Sequence, residues 1–180
     1  EIASCLVGSE MCIRDRTSDD IKEDDGNYKM NPPLRSKADV EALKEGLKNG
    51  TMDVISTDHA PHAKEEKNRS ISQAAFGIVG LETSAALTYT ELVKTGYLSV
   101  MDMAEKMSYN PAKVLGLEDK GSVSEGMTAD LVIFDPDKQY KIDKNTFASK
   151  GKNTPFDGYE VCGEVAYTLV DGRVVYDREK

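Results

Sequence analysis

Apolar residues recur along this chain with two different periods, and the change falls near Gly116. Before it the spacing is helical. Val40, Leu43 and Leu47 stand three and four apart and predict a helix over 37–49, because such spacing puts them on one face. Ser36 precedes that helix as an N-cap whose side-chain oxygen can accept from free amides, and Gly50 follows where the chain can turn left-handed. Leu81, Ala85 and Leu92 predict a second helix over 79–94, and Val100, Met103 and Met107 a third over 99–107 capped by Ser99. Asn110-Pro111 predicts an interruption before a short helix to Leu115. Between the first two helices, Met52-Asp53-Val54-Ile55-Ser56-Thr57 predicts a short buried strand ending at Asp58-His59-Ala60-Pro61-His62. A helix feeding a strand that ends in polar groups is one unit of an α/β barrel, and such strand ends are where barrel enzymes keep their chemistry.

Beyond Gly116 the runs shorten and become β-like: 130–134, 164–170 and 173–176. The last two flank Asp171-Gly172, the residue pair that a tight hairpin turn favours. The expected fold class is therefore α/β: barrel-type helix and strand units over 17–115, followed by a β-rich module over 116–180.

Residues 5–16, Cys-Leu-Val-Gly-Ser-Glu-Met-Cys-Ile-Arg-Asp-Arg, fit neither period and join abruptly to the rest. They resemble a translated sequencing adapter and read as a non-native segment, so residues 1–16 are left out of the fold reasoning. On that reading an N-terminal half of the protein is missing.

Composition narrows the partners. A hydrophobic fraction of 39% and broken apolar runs fit a soluble globular protein, and no run approaches the length of a membrane span. The net charge of −9 argues against a nucleic-acid backbone, which is bound by clustered Lys and Arg. It says little about a small anion held by a few local groups. The three cysteines, Cys5, Cys12 and Cys162, form no even framework and no close pair, and nothing at the start reads as an export signal. A cytoplasmic location is expected.

The chain has only two histidines, His59 and His62, and both lie beside Asp58. A carboxylate at a strand end can ligate a divalent metal and move a proton to or from bound water, while a nearby histidine can donate to an anionic substrate. The spacing alone is no zinc motif, and a lone histidine is more often a packed or solvated one.

Thr57-Asp58-His59-Ala60-Pro61-His62 is similar to the active-site segment of the dihydroorotases (class I-like), metal-dependent members of the amidohydrolase superfamily. Tyr28-Lys29-Met30-Asn31-Pro32-Pro33-Leu34-Arg35-Ser36 resembles that family's substrate loop, and residues 75–83 resemble the loop that closes over the substrate ring. Residues 149–156 and the Asp171-Gly172 hairpin look like its terminal β module. The resemblance implies that residues 17–115 are the C-terminal part of a TIM-type barrel and that residues 116–180 belong to a small β-sandwich completed from elsewhere. It implies reversible cyclisation of N-carbamoyl-L-aspartate to (S)-dihydroorotate in pyrimidine biosynthesis. Asp58 is then metal ligand and general acid/base, Asn31 and His62 hydrogen-bond the substrate, and the backbone of Phe76 and Gly77 lines the ring pocket. For each residue a plainer alternative stands: turn chemistry before Pro32 for Asn31, a core aromatic for Phe76, positive φ for Gly77, and packing for His59, to which no family role carries over. Arg35 is as well explained by the loop and the following helix as by an anion.

Departures matter equally. The family's His-x-His pair, the arginine after it and its further metal ligands have no counterpart here, so this chain alone is expected to bind Zn²⁺ weakly and to turn over nothing. A partial barrel is expected to leave apolar helix faces exposed, which favours association. The resemblance also allows a homodimer or an association with aspartate transcarbamoylase in the parent protein. Other readings are an allantoinase- or hydantoinase-like cyclic amidohydrolase, whose families lack the counterparts of Asn31 and His62, and a catalytically silent dihydroorotase-like partner of the transcarbamoylase.

Overall fold

Helix α1 (Lys37–Lys48) starts where Ser36 and Asp39 cap each other: the Asp39 amide donates to the Ser36 hydroxyl at 3.3 Å, and the Ser36 amide to the Asp39 carboxylate at 3.2 Å. The Ser36 hydroxyl, donating to the same carboxylate at 2.7 Å, and then the Ser36 amide hold the Asp39 carboxyl below its usual range. Past the helix, Gly50 takes a φ of 78°, the left-handed turn its position predicts. The chain is described here from a computed structural model covering residues 17–21 and 23–180. The reading of residues 5–16 as a non-native segment lies outside the described residues.

A four-residue helix α2 (Lys64–Lys67) follows the Asp58–His62 loop. The predicted helix over 79–94 is shorter at its start: α3 (Ser84–Thr88) runs into a π-type turn, Tyr89–Val93. The third predicted helix is longer than expected. α4 (Val100–Ala104), capped by Ser99 as predicted, continues through a π-type turn, Glu105–Tyr109, into α5 (Asn110–Val114). Asn110-Pro111 does not interrupt it, because Pro111 follows the π-type turn and the Lys106 carbonyl that its missing amide would have met accepts from the Ile55 amide instead.

The predicted strand at 52–57 is absent as a strand. Of its residues only Ile55 is buried, and its polar backbone is satisfied by the third helix: the Ile55 amide donates to the Lys106 carbonyl at 3.0 Å and Lys106 Nζ to the Met52 carbonyl at 2.7 Å. Among the described residues no neighbouring strand is available to pair with it.

The β-like runs form one antiparallel sheet of order β1-β2-β3: β1 (Leu131–Lys141), β2 (Glu160–Val170) and β3 (Arg173–Asp177). Asp171 (φ 48°) and Gly172 (φ 73°) make the hairpin turn, both left-handed as a two-residue turn between twisted strands demands. β1 shifts register twice against β2, and Pro136 sits in the second shift, on an edge strand where a missing amide is tolerated. At Gly163 a Cβ would lie 2.3 Å from the Phe134 ring. That gap admits an edge-on Tyr89–Phe134 pair at 5.3 Å, which joins the sheet to the turn after α3.

Two apolar clusters hold these elements. Val40, Leu47, Ile55, Leu92 and Leu98 pack α1 against the segment after it and the helices beyond. Met30, Leu34, Ile78, Ala86, Leu87, Ile142, Phe156 and Val161 form the other, which draws on both sides of Gly116. Large apolar side chains also face outward, among them Met101, Val114 and Leu115 on the third helix and Val132, Val174 and Val175 on the edge strands.

Phe156 is only 1% exposed at the centre of the second cluster. Phe156→Ala is expected to cost about 3–5 kcal/mol, the range for deleting a buried aromatic, as read from the urea unfolding midpoint. A loss below about 1 kcal/mol would mean that this cluster does not join the two parts of the chain.

Candidate active site

The loop after Thr57 is irregular and depends on side chains for its shape. Asp58 is exposed and left-handed (φ 44°), a conformation Asp tolerates better than most residues. Two residues on, the Ala60 amide donates to the Ile78 carbonyl at 2.9 Å. His59 Nδ1 accepts from the amides of Gly80 (3.0 Å) and Leu81 (3.3 Å), so its ring proton sits on Nε2. These bonds tie the His59 ring to the main chain of Gly80 and Leu81.

His62 faces the other way. Its Nε2 donates to the Phe76 carbonyl at 2.7 Å, and its Nδ1 lies 3.6 Å from the Glu66 carboxylate. A hydrogen bond from His62 Nε2 to a substrate therefore requires that proton to leave the Phe76 carbonyl. Phe76 is not a core aromatic. The residue is 60% exposed, with the Lys29 ammonium 4.5 Å from the ring centroid, and its carbonyl makes the contact to His62. Gly77 has a φ of 119°, and a Cβ there would meet Ala60 Cβ at 2.4 Å and His62 Nε2 at 3.4 Å. Glycine is needed twice over, for conformation and for space.

The Asn31 loop joins through the backbone. The Gly77 amide donates to the Lys29 carbonyl at 3.1 Å, which sets Asn31, two residues further on and exposed, at the edge of the same cluster. His62, Phe76 and Gly77 are thus in direct contact, while Asp58 and Asn31 stand exposed on the two loops that meet them. Arg35 is exposed near Asp39, whose carboxyl it helps hold down, and its carbonyl accepts from the Ser18 amide at 3.0 Å.

Two residues central to this arrangement are not singled out by the sequence reading. Asn153 is buried; its Nδ2 donates to the carbonyls of Ala60 (2.9 Å) and Gly77 (3.1 Å), and its Oδ1 accepts from the His62 amide (3.0 Å). Lys67 is 3% exposed and donates from Nζ to the carbonyls of Lys29, Ala75 and Gly77 at 2.9–3.0 Å. Burial pulls the Lys67 ammonium down from 10.5 to about 8, against the opposing pull of Asp25 and with some help from Lys29.

Comparison with known proteins places this geometry. A model of the amidohydrolase family matches residues 11–175. The chain belongs to the amidohydrolase family. Curated amidohydrolase relatives include a dihydroorotase of Bacillus licheniformis, 52% identical over 87% of this chain and 36% of its own length. Another is a dihydroorotase of Ligilactobacillus salivarius, 48% identical over 89% of the chain and 38% of its own length. Among solved amidohydrolase structures, the L-hydantoinase (dihydropyrimidinase) from Arthrobacter aurescens superposes with a TM-score of 0.86 at 37% identity, over 93% of this chain and 38% of that one. A D-hydantoinase from a Bacillus sp. superposes with a TM-score of 0.79 at 31% identity, over 84% of this chain and 34% of that one. This chain therefore spans little more than a third of the length of the relatives it matches, and it is an α/β portion of the amidohydrolase fold.

Amidohydrolases generally use a metal, and the described residues do not make a centre for one. No group of three or more His, Cys, Asp or Glu side chains among them comes together to hold an ion. His59 Nδ1 is engaged by two amides and His62 Nε2 by a carbonyl, which leaves Asp58 as the one carboxylate of the motif.

The Lys67 shift has a consequence for stability. Between pH 8 and 10.5 the folded chain releases the Lys67 proton while the unfolded chain keeps it, so the cost of burying the charge fades and stability rises with pH across that window. Urea unfolding of the wild-type chain and of Lys67→Met, compared at the two ends of the window, should show the wild type gaining relative to the variant as pH rises. A constant difference would contradict the lowered value.

Proposed function

We propose that these residues belong to a dihydroorotase, which interconverts N-carbamoyl-L-aspartate and (S)-dihydroorotate. The observation that supports it best is the meeting of the Asp58–His62 loop, the Asn31 loop and the Phe76–Gly77 segment around Gly77, in a chain 48–52% identical to several dihydroorotases. A dihydroorotase needs partners for a ring and for a carboxylate, and these three segments offer both.

In this reading Asn31 and His62 hold the substrate carboxylate, His62 exchanging the Phe76 carbonyl for the ligand. The backbone of Phe76 and Gly77 lines the ring pocket, and Gly77 leaves room there that a Cβ would take. In the hydrolytic direction water adds to the ring carbonyl while Asp58 accepts its proton; the ring C–N bond then breaks and Asp58 returns the proton to the departing nitrogen. Cyclisation runs the same steps backward. A Zn²⁺ ion, if bound, would take Asp58 as one ligand and would act as a Lewis acid toward the tetrahedral oxyanion, the described residues holding too few ligands to bind it by themselves. Residues 17–115 are then the end of the barrel, residues 116–180 part of a β-sandwich module, and residues 1–16 foreign to both. A cytoplasmic location fits this activity, as does a homodimer or an association with aspartate transcarbamoylase in the parent protein.

A hydantoinase-like activity is the second reading, favoured by the TM-score of 0.86 to the Arthrobacter enzyme. Residues 17–180 exchanged for the matching stretch of the Bacillus licheniformis dihydroorotase, with Zn²⁺ supplied, separate the two. The chimera should act on dihydroorotate and not on hydantoin. Asp58→Ala should lower kcat by about 10²–10⁴-fold, the span for losing a general acid/base. Hydantoin turnover without dihydroorotate turnover would overturn the proposal. The unfused chain should be silent with added Zn²⁺, and dihydroorotate formation abolished by Asp58→Ala would refute that.

A further inference from the structure

We propose that Lys67 is a positioning residue of this site, its buried ammonium gathering three main-chain carbonyls of the two substrate loops and thereby fixing Asn31 and the Phe76–Gly77 backbone for binding. The inference rests on the dihydroorotase reading for its substrate, but the geometry is independent of it. An ammonium has three hydrogens and no acceptor. Here all three find carbonyl oxygens, of Lys29 at 3.0 Å, Ala75 at 3.0 Å and Gly77 at 2.9 Å.

These acceptors belong to different segments. Lys29 lies two residues before Asn31, and Ala75 and Gly77 flank Phe76, whose carbonyl engages His62. One charge thus spans the Asn31 loop and both sides of the residue that contacts His62. An ammonium buried this deeply is costly unless each hydrogen is taken, so the three carbonyls and Lys67 hold one another in place.

The root of the side chain is fixed as well. α2 is begun by the Ala63 amide donating to the Glu66 carboxylate at 3.0 Å, and a Cβ at Gly26 would lie 2.3 Å from the Lys67 carbonyl. The backbone packs there only because residue 26 is glycine. Lys67 reaches its carbonyls from a clamped base, and with every hydrogen spent on main chain it acts on a substrate only through the loops.

The test uses the chimera described above, together with the chain itself. Lys67→Met keeps the length and removes the donors. Losing charge-assisted hydrogen bonds from the loops should raise KM for dihydroorotate by about 10–100-fold with kcat within about threefold. In Lys67→Ala, added n-propylammonium should restore KM, whereas tetramethylammonium, which has no N–H, should not. In the unfused chain, hydrogen exchange of Lys67→Met should speed at the Gly77 and Ala60 amides, which bridge the loops, and stay unchanged at Val40, an amide of α1.

A KM within about twofold of the wild type, a parallel fall in kcat and metal content, or equal acceleration of exchange at all three amides would reduce Lys67 to a general support of the fold and overturn the proposal. Should the unsubstituted chimera leave dihydroorotate untouched, the dihydroorotase reading fails, and the exchange comparison still decides whether Lys67 ties the loops.

Discussion

Main-chain polar groups buried outside any sheet ladder are the constraint on which this region depends. Residues 58–63 and 74–80 run without strand pairing, and Gly77, Ile78, Val79 and Gly80 are buried. Their amides and carbonyls must still be matched. Side chains take the ladder's place: Lys67 covers three carbonyls, Asn153 two carbonyls and an amide, His59 two amides and His62 one carbonyl. Further along, the Glu82 carboxylate receives the amides of Ala148 (2.7 Å) and Ser149 (3.0 Å) and so begins the stretch that delivers Asn153. Each buried group left without its partner costs about 1–3 kcal/mol, so these polar residues bind the loops together as firmly as an apolar core would.

The same accounting explains where the sequence reading of the fold succeeds and where it fails. Helix ends are written locally, in Ser36, Gly50 and Ser99, and the hairpin in Asp171-Gly172, so all four were legible. The segment 52–57 carries a local signal of burial but no record of its partner, which lies about fifty residues away on the third helix. Pro111 shows how the two are linked. In the π-type register the Asn110 amide bonds the Glu105 carbonyl, so the next amide, that of residue 111, would bond Lys106. Proline has none to give. The Lys106 carbonyl instead accepts from the Ile55 amide at 3.0 Å, and a residue read as a break in the helix is what opens it to the neighbouring chain.

For the site, legibility followed chemistry rather than position. Asp58, His62, Asn31 and the Phe76-Gly77 pair could be singled out because their residue types and spacing match a known pattern. Lys67 could not, because it sits in Lys64-Glu65-Glu66-Lys67-Asn68-Arg69, a run whose charges read as a solvated surface. Of these, Lys67 alone is buried, and only the fold around Gly26 and Gly77 puts it there. Asn153 was hidden differently: it lies in a segment that resembles the terminal β module, yet its side chain points into the Asp58–His62 loop. Long-range polar partners leave no periodicity to detect.

Architecture does not separate the two readings of function, since hydantoinases share this backbone with a TM-score of 0.86. The difference must come from groups that meet a substrate carboxylate, about which the overall charge of −9 says little. Lys29 changes the local balance. Its ammonium lies 4.5 Å from the exposed Phe76 ring and donates to the Ser72 carbonyl at 2.8 Å, on the loop that carries Asn31. Lys67 adds a second positive charge behind the same backbone below about pH 8. Acidic residues far over the surface are screened within about 8–10 Å, so the field here is set by these two ammonium groups together with the nearby carboxylates, among them Glu66 at 3.6 Å from His62. An acidic chain can therefore carry positive charge beside these loops, with Lys29 at their surface and Lys67 holding the backbone behind it.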